Sequence, residues 1–289
     1  MERLKWLFWP VTAPIVFIQN HFKATVLVLI VLMVLFSAEA PPKQPNLYRI
    51  DLRGPIFEAD AFLEAAEAAK EPHIKGVLLV VDSPGGSVPP SVEMMMAVRE
   101  LAEVKPVVAY AAGVMASGSY YASIWADEII ANPGSVVGSI GVIMEGVNTE
   151  ALLAKIGVQM NVVKAGELKE AGTFYRDWTE AERAQLVSVT DGIYQMFVQD
   201  VADARKLDAA DAPSFANGRV FTAPQALGVG LVDSLGSRFD AENELLRLSG
   251  VEEPIWNEED PMERFFRLLE QQGKAAVMGL LAPSAQMRL

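Results

Sequence analysis

From residue 47 onward the chain alternates short β-branched runs with helical patterns, and this alternation constrains the fold more than any other feature. Residues 47–52, 76–81, 106–111 and 128–131 read as strands, and 59–70, 88–104 and 117–125 as helices. Parallel strands need a long crossover between them, so strand–helix alternation predicts an α/β domain of βαβ units, its sheet covered by helices. A Gly-rich stretch at 134–141, a helix at 149–156, a strand at 159–163 and a long helix at 179–206 continue the pattern. Thr179, with Glu182 three residues on, makes a capping box that opens the long helix. No linker divides residues 47–250, which are expected to form one domain.

Upstream, residues 24–38 carry no charge. Crossing about 30 Å of hydrocarbon takes about 20 helical residues, so a spanning helix also needs its flanks, with the Lys23 ammonium reaching up to the headgroups. The expected anchor is 23–40. Residues 1–22, with Trp6, Trp9, Pro10 and Pro14, read as a cytoplasmic, interfacial segment, and 41–46 as a stiff proline-rich linker. A cleaved signal peptide is the competing reading, since Ala38-Glu39-Ala40 has the small-x-small form. Pro41 and Pro42 speak against it, because cleavage would fall at an imide that lacks the usual N–H. Arg3, Lys5 and Lys23 precede the segment, which places the N-terminus in the cytoplasm and the domain on the extracytoplasmic side of the cytoplasmic membrane, as a single-pass protein. Residues 251–289 have an amphipathic pattern around Phe265, Phe266, Leu268 and Leu269.

The net charge of −13, with no basic patch, argues against nucleic acid as a partner. The absence of cysteine excludes disulfides and thiolate metal sites. No metal or other cofactor is expected.

Two turns at strand ends could carry chemistry. Asp82-Ser83-Pro84-Gly85-Gly86 follows the 76–81 strand, and its glycines allow backbone N–H groups to point outward, as an oxyanion hole requires or as any tight turn permits. Ser117 follows the 106–111 strand and opens a helix, where a serine is either an N-cap or a nucleophile in the positive end of the helix dipole. A nucleophilic serine needs a base. His21 adjoins the membrane segment and His73 lies in a charged loop, so a Ser-His-Asp triad is poorly supplied, and neither G-x-S-x-G around Ser117 nor H-E-x-x-H is present. That leaves a lysine, which must lose its proton more readily than the usual ~10.4 and titrate near 7 or 8. Residue patterns alone do not choose among Lys169, Lys164 and Lys155.

Taken together, the segments resemble the signal peptide peptidase A family of bacterial membrane serine endopeptidases, which has the Clp protease/crotonase fold of repeated ββα and βαβ units. The resemblance runs from about residue 47 to 250. It rests on D-S-P-G-G at 82–86, A-S-G-S-Y-Y at 116–121, V-G-S-I-G-V at 137–142, K-A-G-x-x-K at 164–169 and N-G-R-V-F-T-A-x-Q-A-L-x-x-G-L-V-D at 217–233. It implies Ser117 as nucleophile, Lys169 as general base, and the amides of Gly86 and Gly118 as the oxyanion hole. Position 119 is usually glycine in the family; here Ser119 places a second hydroxyl two residues on, and position in the motif favours Ser117.

The resemblance also implies a homo-oligomeric ring on the membrane, an octamer, with the serine of one subunit near the lysine of the next. Remnant signal peptides and other apolar, unfolded segments are the implied peptide substrates. A membrane peptidase of the SohB or stomatin-partner type, and a crotonase-type acyl-CoA hydratase or isomerase, are the alternatives within the same fold.

Overall fold

The computed structural model describes residues 44–257, together with Val26 and Leu27, which are helical. The chain divides into two compact units, 1–44 and 45–289, and the second holds the domain. The rest of the expected anchor, the segment before it and residues 258–289 lie outside the described residues. Among the described residues no helix is long and apolar enough to cross a membrane.

The domain is α/β, as the alternation requires. Strands β1 (Leu47–Arg53), β2 (Gly76–Ser83), β3 (Val107–Ala116), β4 (Glu128–Ala131) and β7 (Ser234–Leu235) form a parallel sheet in the order β1-β2-β3-β4-β7. β5 (Val136–Gly138) pairs in parallel with β3 and antiparallel with β6 (Val220–Thr222). The first crossovers are helices α1 (Asp60–Ala69), α2 (Val88–Ala102) and α3 (Gly118–Ser123). Then come α4 (Glu150–Lys155), α5 (Glu180–Arg205), α6 (Ala212–Phe215), α7 (Ala223–Gly228) and α8 (Arg238–Ser249).

β2 shows why the central strands read as continuous apolar runs, since both its faces are buried. Val77, Leu79 and Val81 join the main core with Phe62 of α1 and Val98 and Leu101 of α2. Leu78 and Val80 turn the other way, against Val108, Tyr110, Ile130 and the Ala241 and Leu245 side chains of α8. Beyond α8 the chain returns to the outer edge of β1. The Ile255 carbonyl accepts from the N–H groups of Asn46 and Leu47, and the Asn257 side chain brackets Arg49, accepting from its N–H at 2.7 Å and donating to its carbonyl at 3.2 Å.

β3 runs to Ala116, past the end at 111 that the sequence suggested, because Gly113 breaks the pattern without breaking the strand. Its register against β2 shifts after Val81, so that Ser83 faces Met115. The Asp82 carboxylate fills the irregularity, accepting from the Val114 N–H at 3.0 Å. A Cβ at Gly113 would lie 2.5 Å from Asp82 Oδ1, so glycine is required there. Before the shift β3 pairs with β4, and after it Val114–Ala116 pair with β5.

Two local expectations are corrected. The expected helix at 117–125 is the shorter α3, since Ser117 itself lies in the turn before it. Residues 159–163, read as a strand, form none. The β-branched pattern is present, but no strand lies alongside to take up its backbone groups, and Met160, Val162 and Val163 are exposed.

Candidate active site

The carboxyl ends of β2 and β3 place the two suspected turns side by side. Ser117 sits between β3 and α3 at φ 53°, ψ −125°, a left-handed conformation costly for any residue with a Cβ. It is held by β5, whose Gly138 carbonyl accepts from the Ser117 N–H at 2.7 Å. Ser117 occupies the cap position of α3, yet its side chain makes no capping hydrogen bond. The capping role, open on sequence grounds, is therefore not the one it fills. Its hydroxyl is half-buried and has no protein partner among the described residues. Such a strand-to-helix turn projects a serine Oγ at a sheet edge.

Ser119 is consumed structurally. It is fully buried, accepts from the Ala116 N–H at 2.9 Å and donates to the Ser83 carbonyl at 2.6 Å, tying the end of β3 to the end of β2. Of the two hydroxyls in this turn, only that of Ser117 is free.

The glycines explain the close approach of the turns. Gly85 has φ 86°, and a Cβ there would stand 2.5 Å from the Gly118 nitrogen and 2.8 Å from Ser117 Cβ. A Cβ at Gly86 would meet the Ile56 carbonyl oxygen at 2.0 Å, and one at Gly118 would meet Ser91 Oγ at 2.1 Å and the Gly86 nitrogen at 3.4 Å. The amides of Gly86 and Gly118 are thus neighbours beside Ser117. Neither donates to a protein acceptor among the described residues; Gly118 is the first residue of its helix, where an N–H has no partner within the helix.

In front of Ser117 opens a cleft of about 720 Å³. Its wall is largely apolar, with Val142, Ile143 and Met144 on one side and Trp178, Leu186 and Val187 of the α5 region on the other. Arg183 and Asp191 add one charge of each sign, the Arg183 guanidinium lying 5.6 Å from the Trp178 ring centre. Ser139, also at positive φ (52°), lines the same cleft and donates its N–H to Arg219. Sequence reasoning missed these residues. V-G-S-I-G-V was the signal for Ser139, but the α5 wall carries no motif.

Lys169 is not brought to Ser117 within one chain. It lies in the exposed loop between Gly166 (φ 97°) and Gly172 (φ 92°), outside the cleft lining. Its ammonium has no carboxylate partner among the described residues, whereas Lys164 pairs with Glu170 at 2.6 Å. His73 is exposed in the loop that enters β2, at the opposite end of the strand from the turn.

A parallel α/β sheet with a strained, free serine and two unspent amides at its carboxyl edge has the build of a serine peptidase. The model of peptidase family S49 matches residues 99–252, and the chain belongs to that family. It is 38% identical over 209 residues to a putative protease of Synechocystis sp., covering 72% of this chain and 76% of that one. A putative signal peptide peptidase SppA of Enterococcus faecium is 36% identical over 176 residues, 60% of this chain and half (50%) of the relative, and the chain is an SppA-type member. Among solved structures, the 1510-N membrane-bound stomatin-specific protease shares the fold, with a TM-score of 0.51 at 14% identity, over 75% of this chain and 100% of that one.

Proposed function

We propose that the protein is a membrane-anchored serine endopeptidase in which Ser117 attacks and Lys169 of a neighbouring subunit is the general base. The observation that carries this reading is the separation itself: a serine turn equipped with amides and a cleft, and a lysine on an exposed loop that its own chain leaves outside that cleft. A second copy supplies what one copy lacks. Burial in such an interface also favours the neutral amine that the step requires.

The neutral Lys169 amine takes the Ser117 proton as Oγ bonds to the peptide carbonyl carbon. The carbonyl oxygen becomes an oxyanion, held by the N–H groups of Gly86 and Gly118. The lysine ammonium then protonates the departing amine, leaving an acyl ester on Ser117. Water, losing a proton to the same lysine, attacks the ester and frees a carboxylate and the serine.

The apolar cleft suits remnant signal peptides and other greasy unfolded segments. Residues 23–40 would hold the domain at the extracytoplasmic face of the cytoplasmic membrane, where such peptides remain in the bilayer. We assign the domain to the Clp protease/crotonase class and its assembly to a ring, an octamer, built by head-to-tail contacts that place each Lys169 at the next Ser117.

Mixing inactive chains tests both residues and the interface. Ser117→Ala and Lys169→Ala should each abolish cleavage of a quenched apolar peptide. Unfolded and reassembled together at equal amounts, they should regain about a quarter of the parent rate, since each active pair takes its serine from one variant and its lysine from the other. Activity in either variant alone rejects the dyad; no recovery from mixed oligomers rejects the shared site.

A further inference from the structure

A lysine that serves a neighbouring chain has to be held in place, yet Lys169 stands on a loop bracketed by two left-handed glycines. Hydrogen bonds within the loop span single turns: Lys169 N–H to the Gly166 carbonyl at 3.3 Å, Ala171 N–H to Leu168 at 3.0 Å and Thr173 N–H to Glu170 at 2.9 Å. These shape the loop but do not anchor it. The residue next to Lys169 does. The Glu170 carboxylate accepts from Lys164 at 2.6 Å, from Tyr175 and from Arg176 at 3.2 Å. Arg176 then forks onto Glu182, with contacts of 2.7 and 2.8 Å to its two oxygens. Glu182 lies in the first turn of α5, 2% exposed, and its carboxylate also receives the Thr179 N–H at 2.9 Å in the capping box.

The chain Glu170–Arg176–Glu182 therefore fastens the lysine loop to the helix whose Arg183, Leu186 and Val187 wall the cleft. The pairings are strong: hydrogen bonds from Lys164 and Tyr175 hold the Glu170 carboxyl down at about 2, and Arg176 holds that of Glu182 at about 2. An isolated capping box needs no arginine, and an isolated loop charge needs no buried partner. A bidentate guanidinium joining the two fixes direction as well as distance.

We propose that Arg176 and Glu170 are positioning residues for the general base, holding the Lys169 loop in register with the cleft wall so that the amine meets the serine of the adjoining subunit. This rests on the reading of Lys169 as base. A misplacement of about 1 Å in such a group costs on the order of 100-fold in rate.

The test uses the full-length oligomer and a quenched apolar peptide. Arg176→Lys keeps the charge and loses the fork; Glu170→Gln keeps the shape and loses the charge. Each should lower kcat by about 10- to 100-fold with KM within about twofold of the parent, while the oligomer keeps the parent's size and stays folded at the assay temperature, whatever stability the lost pairing takes with it. In the mixed oligomers, the same substitutions placed in the Ser117→Ala chain, which supplies the lysine, should lower the recovered rate, and placed in the Lys169→Ala chain, which supplies only the serine, they should leave it unchanged. Parent-like kcat in both single variants overturns the proposal, as does an equal loss from either placement in the mixed oligomers. An active Lys169→Ala enzyme sinks instead the assignment of the base, which separates the two failures.

Discussion

Gly118→Ala puts a number on the oxyanion reading. The added Cβ would stand 2.1 Å from Ser91 Oγ and 2.9 Å from Ser91 Cβ. Ser91 is 1% exposed in α2, and its hydroxyl is committed to the Ser87 carbonyl at 2.8 Å, so it cannot swing clear. Ordinary contact between such atoms begins near 3.5 Å, so the α3 turn and α2 must part by more than about 1 Å. That displacement falls on the Gly118 N–H, and losing one oxyanion donor costs about 100- to 1,000-fold in kcat, or about 2.7 to 4 kcal/mol. The assay is steady-state cleavage of a quenched peptide, with the rate of fluorophosphonate labelling at Ser117 as a second reading. KM should change little, since the donor acts on charge that develops only in the transition state. Ser91→Gly removes both clashing atoms at a cost of about 1 kcal/mol of helix stability. The double variant should recover most of the lost kcat. A Gly118→Ala enzyme within threefold of the parent, or a double variant no better than the single one, would refute the argument.

Three further outcomes follow from the same geometry. Ser119→Ala removes a buried bridge between Ser83 and Ala116 and should lower unfolding stability by about 1 to 3 kcal/mol in urea, while labelling at Ser117 persists; a folded variant that no longer labels would make Ser119 the nucleophile. Ser117→Gly relieves the positive φ and should be inactive but more stable than Ser117→Ala by about 1 kcal/mol, a difference readable as a shift in urea midpoint. The depressed carboxyls of Glu170 and Glu182, at about 2 against an ordinary 4.5, contribute stability that is complete above 4.5 and lost as pH falls from there towards 2. The urea midpoint should decline over that window, and less steeply in Glu182→Gln; an unchanged slope would show that the Arg176 pairing does not set acid sensitivity.

Much of this was legible because it is local. The apolar run at 76–81, the capping box of Thr179 and Glu182, and the turn glycine at 85 each depend on neighbours in sequence, and each takes its expected form. β5, β6 and β7 escaped because two or three residues carry no periodicity, and their partners come from far along the chain. β3 was cut short at Gly113 because an isolated glycine reads as a breaker unless the Asp82 carboxylate that needs its space is known. The 159–163 segment shows the converse, a strand-like pattern with no strand beside it. For Ser117, residue patterns reached the turn but not its conformation; for Lys169, they could not say that its own chain would leave it out of the cleft lining.

The divided pairing of β3 has a consequence for the order in which the Ser117 turn can be completed. The backbone that bends Ser117 into its left-handed turn is pinned by Gly138 of β5, and β5 is itself held by β6, with Ser139 bonded to Arg219. Until the chain as far as residues 220–222 has been made and docked, β5 lacks the partner that holds it, and only the Ser119 bridge to Ser83 and the Tyr121 N–H on the Ser117 carbonyl shape that turn. The strained serine turn is thus among the last features of the domain to be completed, although the residues that flank it in sequence are made early.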